Sequence, residues 1–173
     1  MARAVDAGAE GYQVSDSVME ALSPVRTPAG LVALAERPIA TLADAFSPDP
    51  ALVVCLIDVQ DPGNVGAVVR AADAGGATGV VVAGSSADPF SWKALRGSMG
   101  SAFRMAIAAA EISDAVEAAR SRGVQVVATV PRDGVPPQGL LHHLSKYCLN
   151  AVINYLLHYL NQYLLTALLF HVF

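Results

Sequence analysis

The sequence predicts an α/β fold built on a parallel sheet, and three observations lead there. Short, β-branched, uncharged runs recur along the chain, as ALVVCLIDV, TGVVVAG and VQVVATV. Between them lie stretches of about ten to fifteen residues with apolar side chains at helical spacing, the alternation of βαβ units. Gly, Pro, Asn and Asp punctuate the junctions, where turns need them.

The 173 residues suffice for one full domain and a short piece of another. With 54% hydrophobic and 15% charged residues, the chain has enough apolar surface to build a core, which excludes wholesale disorder. Its two cysteines, Cys55 and Cys148, form no CxxC pair and no zinc-finger spacing. Neither a disulfide nor a metal site is expected, and a reducing cytoplasm is the expected compartment. The amino terminus lacks the basic and apolar blocks of a secretory signal. The net charge of −4 is unevenly distributed: residues 1–88 carry four Lys/Arg against eleven Asp/Glu, and residues 89–173 carry seven against four. A basic back half suits RNA binding through one face without requiring it.

Element by element, VSDSVMEALSP (14–24) predicts a short helix capped at Ser15 or Asp16 and stopped at Pro24. TPAGLVALAE predicts a turn entering a strand. Pro48 and Pro50 mark a linker, after which ALVVCLIDV reads as an interior parallel strand because it is apolar throughout and too short for a buried helix. From Asn64 to Gly75 the spacing of Val65, Val68, Val69 and Ala72 predicts a helix, with Gly75 and Gly76 ending it. TGVVVAG is the second strand. A helix starting near Pro89 or Ser91 follows, then a third strand fragment, an amphipathic helix ending at Gly123, and the strand VQVVATV.

Beyond Pro131 the composition changes. Tyr147 to Phe173 contains no Asp, Glu, Lys or Arg and holds four of the five tyrosines. Leu156, Leu160, Leu164 and Leu168 repeat every four residues beside a polar stripe of Asn150, Asn154, His158 and Asn161, which predicts one uncharged amphipathic helix. Its length admits a bilayer span, but its Asn, Gln and His would need partners in lipid, so packing on the protein or on a second copy is expected instead. His142–His143 reads as a solvated turn.

The chemistry is concentrated in DPGNVGAVVRAADAGG, which follows the first strand at the end where open α/β folds bind ligands. Pro62 and Gly63 make a tight turn, and Gly66 allows close backbone approach in the first helical turn. Asn64 can cap the helix or reach a ligand. Arg70 can be a solvated cation or an anion site. GxGxxG and GxxxxGK[ST] are both absent, so the residues alone point to an anion or nucleotide site and leave its ligand open.

Asp58, Asp61, Pro62, Asn64, Gly66, Arg70, Ala71 or Ala72, and Gly75 together resemble the first motif of the SpoU family of RNA 2′-O-ribose methyltransferases, within the knotted SPOUT class. The resemblance implies transfer of a methyl group from S-adenosylmethionine to a ribose 2′-hydroxyl of rRNA or tRNA, by a homodimer. It places Asn64 and Arg70 in the catalytic centre. A guanidinium stays protonated, so Arg70 would hold the adjoining phosphate and stabilise the developing alkoxide. The segment SADPFSWKALRGSMGSAFRM is similar to the family segment after the second strand, which implies that Lys93, Arg96, Ser101 and Arg104 face RNA phosphates. A plain solvated helix face is the alternative for Lys93 and Arg96.

Three parts of the chain follow from this resemblance. Residues 1–47 resemble the tail of a ribosomal-protein-like RNA-binding domain plus a linker. Residues 48–137 resemble the methyltransferase domain of that family, incomplete here. Residues 138–173 form a tail outside the family pattern. The glycine-rich loops and last helix that make the knot and hold the cofactor have no counterpart, which leaves the loop around Thr129 and Val130 to touch S-adenosylmethionine. Weak cofactor binding is expected, and the abrupt switch in composition fits a frameshift or a gene fragment. An RNA-binding or dimer-forming remnant without catalysis is the alternative function.

Overall fold

The continuous apolar run of the first strand decides how the layers form. The computed structural model describes residues 2–25, 30–128 and 166–171. Strand β1 (Leu52–Ile57) is buried along nearly its whole length. Its even-numbered residues Leu52, Val54 and Leu56 join one cluster with Val65, Val68, Val69 and Ala72 of helix α4 (Pro62–Ala74). Its odd-numbered residues Val53 and Cys55 join a second cluster with Ala45, Phe46, Ala115 and Ala119. Successive strand side chains point to opposite faces, so a strand apolar at every position carries a helical layer on both sides. Burial pushes the Cys55 thiol up to about 11, and it acts here as a small apolar side chain.

The remaining elements follow in order: β2 (Gly79–Ala83), α5 (Trp92–Ser98), a 3-10 turn at Ser101–Phe103, β3 (Ala106–Ala109), α6 (Ile112–Ser121) and β4 (Gln125–Ala128). Strands β1, β2 and β3 pair in parallel. Helix α3 (Leu42–Ala45) is closed by a capping box between Thr41 and Asp44 and presses on β2. A Cβ added to Gly79 would stand 2.5 Å from the Cβ of Ala45.

The chain divides into two compact units, Met1–Glu36 and Arg37–Phe173. The first holds α1 (Ala2–Asp6) and α2 (Asp16–Leu22). Ser15 caps α2, its hydroxyl accepting from the N–H of Val18 at 3.4 Å, as expected for VSDSVMEALSP. The strand expected in TPAGLVALAE does not form: residues 31–36 are irregular and exposed. Among the described residues no strand pairs with them, and a short apolar run without a pairing partner has nothing to hold it extended. In the second unit Arg37 is anchored to the loop after β2, 3.4 Å from Asp88 and 4.5 Å above the Phe90 ring.

The tail corrects a second expectation. Thr166–His171, placed by the leucine spacing within one helix over Tyr147–Phe173, is strand β5. It lies inside the sheet, whose order is β3-β2-β1-β5-β4, antiparallel to both β1 and β4. An open strand edge presents a row of unpaired N–H and C=O groups, and one antiparallel segment satisfies two such edges at once. The rest of the tail, including Leu156, Leu160 and Leu164, lies outside the described residues, as do His142, His143 and Cys148. No helix among the described residues is long and apolar enough to cross a membrane.

Candidate RNA-modifying site

The site is built at the carboxyl ends of β1 and β2. Asp58 leaves β1 with a left-handed backbone (φ 57°), a conformation costly for a residue with a Cβ. Its carboxylate accepts the Ser85 N–H at 2.8 Å, and Gly84 (φ 62°) leaves no Cβ in the way, since one there would stand 2.4 Å from the Asp58 carboxylate. Ser86 fixes the other side: its hydroxyl donates to the Ala83 carbonyl at 2.7 Å and accepts the Val59 N–H at 3.0 Å. The loops after the two strands are therefore held by side chains before any ligand arrives.

Helix α4 starts from that frame. Its cap is Asp61, with Pro62 in the first turn, the position where a missing N–H costs nothing. The Asp61 carboxylate accepts the Asn64 N–H at 3.0 Å. Asn64 was open as either cap or ligand group; Asp61 takes the cap, and the half-exposed Asn64 side chain has no part in it. Arg70 is half-buried two turns along the same helix.

Gly66 is a packing glycine between helices. A Cβ there would stand 2.2 Å from the Ala94 carbonyl oxygen and 2.9 Å from the Ser98 nitrogen, so α5 lies directly on the first turns of α4. The contact places the basic segment beside the motif. Lys93 donates to the Asp61 carboxylate at 2.5 Å. Arg104 donates to Asp73 at 2.5 Å and to the Ser101 hydroxyl at 3.1 Å. The Lys93 hydrogen bond, with the Asn64 N–H, holds Asp61 below the usual carboxylate range. Asp73 is lowered by the Ser101 hydroxyl first and by Arg104 second.

Of the six expected catalytic and RNA-facing residues, Asn64 and Arg70 share α4, while Lys93 and Arg104 are tied back to it through Asp61 and Asp73. Ser101 is 2% exposed and acts on that second pair rather than toward solvent. Arg96 is exposed and forms no ion pair among the described residues. Thr129 and Val130 lie outside the described residues. The sequence reading missed Asp61 and Asp73 as the carboxylates that hold the basic segment. An Asp directly before a Pro at a helix start was the available signal for Asp61; the partner of Asp73 lies 31 residues away and had none. No group of three or more His, Cys, Asp and Glu able to hold a metal occurs among the described residues.

The turn that precedes Asn64 and Arg70 lies at the carboxyl edge of the sheet, the edge at which open α/β folds bind ligands. The chain belongs to the SpoU rRNA Methylase family, whose sequence model matches residues 51–149. It is 34% identical over 135 residues to a 23S rRNA (guanosine(2553)-2′-O)-methyltransferase of Bacillus subtilis, covering 78% of this chain and 52% of that protein. It is 35% identical over 116 residues to a 23S rRNA (uridine(2479)-2′-O)-methyltransferase of Streptomyces viridochromogenes, covering 65% of this chain and 40% of the other. The crystal structure of an rRNA methyltransferase from Sinorhizobium meliloti superposes with a TM-score of 0.64 at 35% identity, over 72% of this chain and 48% of that one. The chain thus spans about half the length of the relatives it matches.

Proposed function

We propose that this chain serves the transfer of a methyl group from S-adenosylmethionine to a ribose 2′-hydroxyl of ribosomal RNA, with Asn64 and Arg70 at the reacting ribose. The observation that carries the reading is the placement of both residues on α4, directly after a strand-end turn that Asp58, Ser86 and Asp61 hold in place. A preset turn suits catalysis because no binding energy goes into ordering it. Arg70 remains a cation at any working pH and would hold the phosphate next to the ribose and stabilise the alkoxide as it forms. Asn64 would orient the hydroxyl through its side-chain amide.

S-adenosylmethionine would supply the electrophilic methyl group. At the carboxyl end of β2 the open side of Gly84 is taken by the Asp58 carboxylate. The donor would be held by the segment from Thr129 onward. We extend the proposal to a cytoplasmic homodimer that acts on rRNA; tRNA is the second substrate class the family resemblance admits. Labelled methyl transfer from S-adenosylmethionine to rRNA, followed by mapping of the 2′-O-methyl group, tests the reading. Arg70→Ala is expected to abolish transfer, while Arg70→Lys keeps a small fraction because an ammonium lacks the planar fork. Undiminished transfer by Arg70→Ala overturns the assignment.

A further inference from the structure

Three large apolar side chains on α5 and the turn after it are unused by the fold. Trp92 is 44% exposed, Met99 72% and Phe103 54%. The inner side of α5 is occupied by Ala94 and Ser98, which are buried against the first turns of α4 at Gly66. Residues at i and i+4 share one helical face, so Trp92 and Arg96 stand together on the side of α5 opposite Ala94 and Ser98, and the exposed Met99 closes the helix. The left-handed backbone at Met99 (φ 52°) and Gly100 (φ 89°) stops the helix there, and Phe103 is exposed on the turn that follows.

The charge accompanying these side chains has one sign. From Pro89 to Ala110 the sequence holds Lys93, Arg96 and Arg104 and no Asp or Glu, although the whole chain carries a net charge of −4. Asp61 and Asp73 answer Lys93 and Arg104 from α4. Arg96, in the middle of the apolar set, has no such partner among the described residues.

We infer that this face is a stacking platform for the unpaired bases of a single-stranded RNA segment, with Trp92 and Phe103 as the stacking faces and Arg96 on a phosphate. The inference rests on the RNA-methylating reading and adds where the strand beside the target ribose is held. Aromatic faces along a basic surface bind single strands with little regard to sequence, because every base has a π-face. A guanidinium among them supplies the charge-assisted phosphate contact. A second copy of this chain fits less well. The exposed parts of three such side chains amount to roughly 400 Å² at most, about half of the ~800 Å² per partner that a stable interface buries.

Trp92 is the sole tryptophan, so the full chain reports on its own platform. Titration with a short fluorescein-labelled oligouridylate should quench Trp92 emission along the same saturation curve as the label's anisotropy. Trp92→Ala and Phe103→Ala should each weaken binding about tenfold, the loss expected of one base stack, and Trp92→Phe should recover most of it. Binding by anisotropy with unchanged Trp92 emission, and equal affinity in Trp92→Ala, overturns the platform and leaves the RNA reading standing. A concentration-dependent blue shift of Trp92 without RNA would assign the face to a second copy and also overturns it. Absence of binding to both the oligouridylate and rRNA would overturn the RNA reading itself.

Discussion

Single carboxylates organise this site. Asp58, Asp61 and Asp73 each hold a group from a different segment: the Ser85 N–H, Lys93 and Arg104. Asp61 and Asp73 both lie below the usual carboxylate range, so the fold favours their charged forms. Their contribution to stability is then full above the ordinary value of about 4 and is lost as pH falls through the lower folded values. Both pairs are solvent-screened, and we expect Asp61→Asn and Asp73→Asn each to cost less than about 1 kcal/mol at neutral pH. Urea midpoints followed into acid should show the variants converging on the parent; parallel profiles would remove the carboxylates from the account. The same pairs grade the basic residues. Arg96→Ala should lower the salt slope of single-strand RNA binding by about 0.7, one phosphate contact. Lys93→Ala and Arg104→Ala should lower it less, since each cation already has a carboxylate. Equal losses at all three would show that the pairs open onto RNA.

At the scale of elements, the contact between α4 and α5 decides where the basic segment sits. It depends on Gly66, whose missing Cβ is replaced by the Ala94 carbonyl. Gly66→Ala removes backbone freedom from the unfolded chain, which alone would stabilise by under about 1 kcal/mol. The overlap with a backbone carbonyl forces the helices apart, at a cost of about 1–3 kcal/mol. We expect net destabilisation by chemical denaturation, with Gly66→Val worse than Gly66→Ala. An Ala variant as stable as the parent would mean that the helices slide freely past each other. The helices themselves follow from local signals: the Asp-Pro start and the Gly75–Gly76 end of α4 are side-chain and backbone chemistry within one turn of the boundary.

For the whole molecule, β5 is the deciding element, because it separates β1 from β4 and pairs with both. Leu168 is registered with Cys55 on one side and Ala128 on the other. Leu168→Pro deletes a ladder N–H in an interior strand, where proline is not tolerated, and leaves an unmatched acceptor worth about 1–3 kcal/mol. Lower solubility and an earlier thermal transition are expected, because the open edges of β1 and β4 become available to other chains. A variant that unfolds and sediments like the parent would show that β5 adds nothing to the sheet.

The order β1, α4, β2, α5, β3, α6, β4 was determined by the sequence alone, because each element is set by a local period and by Gly, Pro, Ser or Asp at its ends. The turn carrying Asn64 and Arg70 was readable in the same way, and family resemblance supplied the chemistry that composition left open. Only the tertiary structure assigned Gly66 to a helix contact, bound Lys93 and Arg104 to Asp61 and Asp73, and buried Ser101. Those contacts join residues about thirty positions apart, and no local period encodes a partner at that distance. The strand Thr166–His171 shows the limit most clearly. Leu168 ends a four-residue leucine repeat that begins at Leu156, yet the unpaired edges of β1 and β4 made its segment a strand, because backbone pairing on two sides outweighs a local helical preference.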